Sequence, residues 1–378
     1  MLLKSASKAK ARKLWLQFHL YIGLTAGFFF VVAGLTGSAL VFYIEIDEWL
    51  HPELVLTTAP DQQSSLSYES IYLALKAAHP EREKSWRLEL PDSDNRMITA
   101  RYYKPSETAH LAFAPLQVWV NQYTGEVVKS RFWGEYLMTW IYDLHYSLLS
   151  DIIGRYIIAF FGLFFLASLL TGIYLWWPSK KNIKRAFTFK SGVNIKRKAY
   201  DIHKLSGVYG ATLLLVIAST GTILNFPELK SVVNSLSLPF KPASTKSIVR
   251  SDSKRISLDK AVEIAQAQFP IAKVKWIVTP NNETGSYRIN LRQPGEPSIR
   301  FPKTNVWVDQ YSGNILAIRD VVSDGAGDTF LRWLHPLHSG EAFGLTGRII
   351  VLLSGLIPLV LFYTGVLRWF QKRSASMP

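Results

Sequence analysis

The sequence predicts an α-helical membrane protein: four transmembrane helices and two α+β domains outside the bilayer, built as an internal two-fold repeat with parallel halves. Three observations predict this. The chain of 378 residues contains four long apolar runs, roughly 18–44, 154–177, 204–226 and 346–370, and a helix of about 20 apolar residues crosses the roughly 30 Å of hydrocarbon in a bilayer. Its net charge of +15 is confined to three short segments. Its motifs occur twice, in the same order and at the same spacing.

The charge fixes the expected topology. Residues 1–13 hold five cations, residues 179–198 eight and residues 368–378 three, with no acidic residue in any of the three; elsewhere 27 basic residues balance 28 acidic ones. Cations beside membrane spans mark the cytoplasmic side, so both termini and the middle loop are expected in the cytoplasm of a multi-pass protein of a bacterial inner membrane. Nucleic acid is excluded as a partner, because a nucleic-acid face gathers its cations on a folded surface. The chain has no cysteine, which excludes disulfides, thiol catalysis, iron–sulfur ligation and covalent haem attachment through CxxCH.

In chain order the reading is a basic cytoplasmic N-terminus (1–17), a first span (18–47), an outer domain (48–140), an interfacial segment with the second span (141–178) and a basic cytoplasmic loop (179–200). A third span (201–228), a second outer domain (229–335), an interfacial segment with the fourth span (336–370) and a cytoplasmic tail (371–378) complete it. The first apolar run follows basic residues, as in a signal peptide, but it is longer than the roughly 7–15 residues of such a core and no small-residue cleavage site closes it. It is expected to stay as a helix.

The outer domains share one plan. SYESIYLALKAAHP (67–80) and SLDKAVEIAQAQFP (257–270) each open on a serine cap, carry an acidic residue in the first turn and stop at proline. VWVNQYTGEVV (118–128) and VWVDQYSGNIL (306–316) each read as a hairpin, with alternating apolar residues around a Tyr-Thr/Ser-Gly turn, and SYRINLRQP (286–294) is a further strand. The spans repeat too. HLYIG starts at His19 and HKLSG at His203, with Gly37 and Gly221 each 18 residues after the histidine. His145 and His338 each follow a leucine and precede a Gly-Arg pair, with Gly172 and Gly365 each 27 residues on. Each unit of helix, domain and helix crosses the membrane an even number of times, so the halves run parallel about an axis along the membrane normal.

HxxxG on a first helix, LHxxL followed by Gly-Arg ahead of a second, TGIYLWW (171–177) at its end and the VWVxxYxGxV hairpin together resemble the PepSY-associated transmembrane family. The resemblance covers nearly the whole chain and extends to inner-membrane siderophore-iron reductases of the FoxB type. It implies PepSY-like periplasmic domains, b-type haem held between helices, and reduction of ferric siderophore in the periplasm. The electron donor would be quinol or a cytosolic flavoprotein.

Four of the eight histidines sit at matched positions. The topology sets His19 and His203 near the cytoplasmic face and His145 and His338 near the outer face, one from each half at each level. A lone histidine near a helix end often only hydrogen-bonds at the interface. Two symmetric pairs at two depths fit two non-covalent haem b groups better, each with bis-histidine axial ligation. Two histidines per level are too few for a closed zinc site. His335 forms an i, i+3 pair with His338, where the first half has Tyr142, and is an alternative ligand or a substrate-side group.

Gly23 and Gly207, four residues after their histidines and so on the same helix face, would let a flat macrocycle lie against the backbone. Gly37, Gly221, Gly172 and Gly365 reach the opposite levels and are read in the same way, with tight helix packing as the other account. Arg155 and Arg348, ten residues after their histidines, are read as donors to propionates of the outer haem or as side chains reaching to headgroups. His51, His79 and His110 have no counterparts and read as surface residues. Trp176, Trp177 and Trp369 read as an interfacial belt, and Trp119, Trp133, Trp276 and Trp333 as packing in the outer domains.

The expected function is a haem-dependent ferric-siderophore reductase, an enzyme that moves electrons from the cytoplasmic side or the quinol pool to a periplasmic iron chelate. Two alternatives stay open. One is a non-redox, membrane-anchored binding or regulatory module. The other is a haem subunit that donates to a protein partner.

Overall fold

The computed structural model describes residues 2–56, 64–237, 239–242, 244–249 and 254–374; the last four residues of the predicted tail lie outside these. Its elements are α1 (Leu2–Thr25), α2 (Gly27–Leu40), α3 (Tyr43–Leu50), α4 (Tyr68–Ala78), β1 (Trp86–Glu89), β2 (Ile98–Tyr102), β3 (Leu116–Val120), β4 (Val127–Phe132), α5 (Leu137–Ser147), α6 (Asp151–Trp176) and α7 (Ile183–Ala186). They continue with α8 (Ile195–Asn225), α9 (Pro227–Leu236), α10 (Leu258–Gln268), β5 (Lys273–Val278), β6 (Ser286–Arg292), β7 (Thr304–Asp309), β8 (Ile315–Arg319), α11 (Ala326–Ser339), α12 (Gly344–Ser354) and α13 (Ile357–Ser374). These form two compact units: a helical unit of Met1–Phe42, Ile141–Lys230 and Leu334–Pro378, and a sheet unit of Tyr43–Trp140 and Ser231–Trp333.

In the helical unit, α6, α8 and the stretch Glu341–Arg373 are long and apolar enough to cross a membrane. The first span differs from the single helix expected over 18–47. It is broken at Ala26, with its two halves bent by 56°, and residues 43–50 form a separate helix in the sheet unit. The break is associated with close packing by another helix. The ring of Phe362 occupies the place a Cβ on Gly27 would take, 2.4 Å away, so only glycine lets α13 press into the bend. Small residues also carry the crossing of α2 on α12: a Cβ at Gly34 would lie 2.4 Å from the Gly355 carbonyl, and Ser38 Oγ donates to Leu352 O at 2.7 Å. Lipid offers no hydrophobic drive between helices, so backbone approach of this kind holds them together.

The sheet unit departs from the two separate domains expected. Its strands form one eight-stranded antiparallel sheet in the order β4-β3-β2-β1-β5-β6-β7-β8. β1 pairs with β5 through Arg87↔Val278, Leu88↔Ile277 and Glu89↔Trp276. Each four-stranded piece would otherwise end on an open edge, and pairing β1 with β5 removes two such edges. The repeated VWV segments occupy β3 and β7, each followed by the predicted turn, with Gly125 and Gly313 both at φ +74°.

Helices α4 and α10 lie on one face of this sheet, and the core beneath them joins Ile71, Leu75, Trp86 and Leu88 to Leu258, Ile277, Ile289 and Val306. The serine caps form as predicted: Ser67 Oγ accepts from Ser70 N and Ser257 Oγ from Lys260 N. The first-turn acids do more than suit their own helices. Asp259 accepts from Tyr68 N and Glu69 N of α4 at 2.9 and 3.0 Å, and Glu69 accepts from Leu258 N of α10 at 2.7 Å. Each helix thus satisfies orphan N–H groups of the other. Asp259→Ala is expected to cost about 1–2 kcal/mol, the upper part of the range for a lost cap, and more than Ser257→Ala. Denaturant unfolding of the purified chain, followed by near-ultraviolet circular dichroism of the sheet tryptophans, checks the order.

Candidate functional site: two facing histidine pairs

The helical unit brings the four matched histidines into two facing pairs. The ring centres of His19 on α1 and His203 on α8 are 6.3 Å apart, and those of His145 on α5 and His338 on α11 are 6.0 Å apart. Each imidazole is held from behind by the helix of another element. His19 Nδ1 lies 3.1 Å from Ser168 O and 3.2 Å from Thr171 Oγ1 of α6. His203 Nδ1 lies 3.1 Å from Leu361 O and 2.9 Å from Thr364 Oγ1 of α13. His338 Nδ1 lies 3.0 Å from Ile217 O and 3.2 Å from Thr220 Oγ1 of α8. His145 Nδ1 lies 3.0 Å from Thr36 Oγ1 of α2, beside the Ala33 carbonyl.

These partners decide the tautomer. A carbonyl oxygen only accepts, and each threonine already donates its hydroxyl hydrogen to its own i−4 carbonyl: Thr36 to Val32, Thr171 to Ala167, Thr220 to Val216 and Thr364 to Val360, at 2.6 to 2.8 Å. Both partners of Nδ1 are therefore acceptors, so Nδ1 carries the proton and donates it. Nε2 is left with its lone pair, the state in which imidazole ligates a metal.

The glycines after these threonines lie against the imidazole rings. Gly37, Gly172, Gly221 and Gly365 each leave room for the edge of an imidazole. A Cβ would come within 2.9 Å of His145 Cε1 at Gly37, 3.2 Å of His19 Cε1 at Gly172, 2.7 Å of His338 Cε1 at Gly221 and 3.6 Å of His203 Cε1 at Gly365. Thr-Gly is therefore one device: threonine fixes the ring nitrogen, and glycine leaves room for the ring edge. Gly23 and Gly207 differ. A Cβ at Gly23 meets nothing within 4 Å, and one at Gly207 meets only Leu361 Cδ2 at 3.6 Å, so open space lies one turn from the His19–His203 pair.

The ring-centre spacing is that of two imidazoles on one metal ion. A ligating nitrogen lies about 2.0 Å from the metal and about 1.1 Å from its ring centre, so two opposed imidazoles on one ion hold their centres about 6.2 Å apart. Among the described residues no group of three or more histidine, aspartate or glutamate side chains is placed to hold a metal. A bare zinc ion wants four ligands, whereas a porphyrin supplies four nitrogens and needs only the two axial ones.

The Gly-Arg pairs divide into two roles. Gly154 and Gly347 let the chain turn back on itself: a Cβ would lie 1.5 Å from Ser147 O at Gly154 and 2.2 Å from Gly340 O at Gly347. These turns follow directly on the helices that carry His145 and His338. The first puts Leu148, Leu149 and Asp151 at positive φ, whereas the second uses Gly340 and Gly344. Arg348 is engaged, with Nη2 and Nε donating to Val41 O at 2.8 and 3.2 Å, because the end of α2 has carbonyls without helical partners. Arg155 lies with its guanidinium 6.0 Å from the centre of the Tyr146 ring, and its Nε is buried with no hydrogen-bond partner among the described residues. Such an orphan donor suits a carboxylate.

His335 faces Glu341, with Nδ1 3.7 Å from Oε2. His51 is not a plain surface residue, since it contacts Asp47 at 3.1 Å and Arg131 at 3.3 Å, and His79 Nε2 meets Ser130 Oγ at 2.9 Å. Trp119 and Trp276 lie under arginines, 4.4 Å from Arg131 and 4.2 Å from Arg87. The residues to which sequence reasoning gave no role are the four threonines, although each stands one residue ahead of Gly37, Gly172, Gly221 or Gly365.

Thr220→Val is expected to cost about 0.6–1.7 kcal/mol, the range for a hydrogen bond between membrane helices, because the Ile217 carbonyl remains as an acceptor. Gly221→Ala should cost more, since its Cβ collides with the ring, and Gly365→Ala should be nearly neutral. Unfolding in mixed micelles ranks the three. A comparison with curated proteins finds no match. The sequence profile of the PepSY-associated TM region matches residues 16–372, and the chain, with its helices long and apolar enough to cross a membrane, belongs to that membrane-protein family.

Proposed function

We propose that this chain is a di-haem b electron-transfer protein of a bacterial inner membrane, which takes electrons on the cytoplasmic side and reduces ferric siderophore in the periplasm. His19 and His203 would hold the inner haem and His145 and His338 the outer one. The observation that carries this reading is the facing of two imidazoles at each level, with Nδ1 pinned on acceptors and ring centres 6.3 and 6.0 Å apart. When bound there, haem would supply a one-electron carrier, with one histidine from each half to hold its iron.

The chain's own residues do the rest. The threonine and carbonyl acceptors keep the proton on Nδ1, which orients each ring and raises the basicity of Nε2. Gly23 and Gly207 leave bare backbone beside the inner pair, and Arg155 offers its Nε–H to a carboxylate at the outer level. The two halves are related by a pseudo-two-fold axis along the membrane normal. By the positive-inside rule the basic segments and both termini are cytoplasmic and the sheet unit is periplasmic. The donor is then a quinol or a cytosolic flavoprotein, and the sheet unit is the side an acceptor meets. Siderophore oxygens are hard ligands that hold Fe(III) far better than Fe(II), so one electron delivered to the chelate loosens the iron.

The reading predicts that the purified chain, made with haem available, contains two b-type haems by pyridine haemochrome. His19→Ala and His145→Ala should each remove one. The dithionite-reduced protein should be reoxidised by a ferric siderophore. A colourless protein overturns the redox reading and leaves a membrane-anchored binding module. A haem protein that no ferric chelate reoxidises overturns the reductase assignment and points to a protein acceptor.

A further inference from the structure

A cavity of about 450 Å³ opens between the start of α8 and the last turns of α13, lined by Asn194, Lys196, Arg197, Tyr200, Arg368, Gln371 and Lys372. Four of these seven are cations and none is acidic. Two guanidiniums share one ring: Arg368 lies 4.6 Å and Arg197 5.0 Å from the centre of Tyr200. Asp201, fully buried one turn along, takes up Arg197 and Lys204 at 3.1 Å each. Lys196, Arg368 and Lys372 have no acidic partner among the described residues.

Like charges gathered in one cavity repel unless an anion joins them. Among the described residues the first half of the chain gathers no such group. At the positions matching Tyr200 and Arg368 it has Leu16 and Leu175, and its nearby cation Arg12 is used on the Leu175 carbonyl at 2.9 Å. The two halves match at the histidine pairs and differ here, so the shared site does not account for these cations.

We propose that this cavity binds the phosphodiester headgroup of an anionic phospholipid. The cavity lies at the ends of two apolar spans, Ile195–Asn225 and Glu341–Arg373, where headgroups of a bilayer lie. Basic pockets between spanning helices take such headgroups. Its flanks suit acyl chains: Ile195 and Phe370, each next to a lining residue, are 70% and 57% exposed. Asn194 and Gln371 add neutral hydrogen-bonding groups beside the charges. The proposal rests on the membrane spans and not on any bound cofactor.

The test uses the full chain in nanodiscs of phosphatidylcholine with a minor share of phosphatidylglycerol, released for native mass spectrometry. One phosphatidylglycerol retained per chain is expected, with retention falling about tenfold or more in Arg368→Gln/Lys372→Gln, since each cation near an anionic headgroup contributes separately. Lys180→Gln/Lys181→Gln, outside the cavity, should retain it. Phosphatidylglycerol held no better than phosphatidylcholine, or held equally by the cavity variant, overturns the proposal. Inorganic phosphate that raises the melting temperature in detergent as much as phosphatidylglycerol does overturns the lipid assignment in favour of a soluble phosphate compound. If the double variant does not fold, Lys196→Gln gives the same reading, with Arg368→Lys expected to retain the lipid.

Discussion

The arrangement of the helical unit depends on one requirement: an imidazole among apolar helices must place its Nδ1–H on an acceptor. The bilayer interior offers no water to do so, and an unsatisfied polar group there costs several kcal/mol. Helix backbones have few spare carbonyls. The chain meets this with threonine, whose hydroxyl bonds the i−4 carbonyl of its own helix and turns its oxygen outward, next to the i−3 carbonyl. Thr36, Thr171, Thr220 and Thr364 all do this. The glycine that follows each one sets how closely the ring approaches.

The requirement also fixes which helices must be neighbours. α8 presents His203 to α13 and receives His338 on Thr220. α1 presents His19 to α6, and α2 receives His145. No pair can form unless four elements are in place, so the two sites and the packing of the unit stand or fall together. The sheet unit follows a similar logic of exchange. Asp259 and Glu69 cap each other's helix, and β1 and β5 close each other's edge, so neither half of that unit is complete alone.

Equivalence between the halves is strict where the imidazoles sit and lapses elsewhere. Arg348 is tied to the end of α2, whereas Arg155 keeps a buried donor without a partner among the described residues. The turn after α5 uses Leu148, Leu149 and Asp151 at positive φ, where its counterpart uses glycine. A non-glycine residue in this region costs roughly 1 kcal/mol or more, so the helices of His145 and His338 lead into turns of unequal strain. The basic end differs most, with Tyr200 and Arg368 facing Leu16 and Leu175 of the other half. The histidines match between the halves, while their surroundings do not.

The sequence by itself determined the apolar spans, the serine caps, the Gly turns of the hairpins and the four matched histidines, because each depends on local spacing or on a repeat readable along one strand of text. It also contained Thr-Gly at four matched positions in the spans, 36–37, 171–172, 220–221 and 364–365, yet left its meaning open. A glycine in a span is equally compatible with a flat ligand, a neighbouring helix or an imidazole, and only the crossing of α2 with α5, or of α8 with α11, decides among them. The break at Ala26 was hidden for the same reason: its cause is Phe362, more than 300 residues away. So was the single sheet, since the choice between an open edge and a β1–β5 pair is made between strands, not within them. What the tertiary structure decided, throughout, was which groups satisfy one another across elements, a choice that local periodicity does not encode.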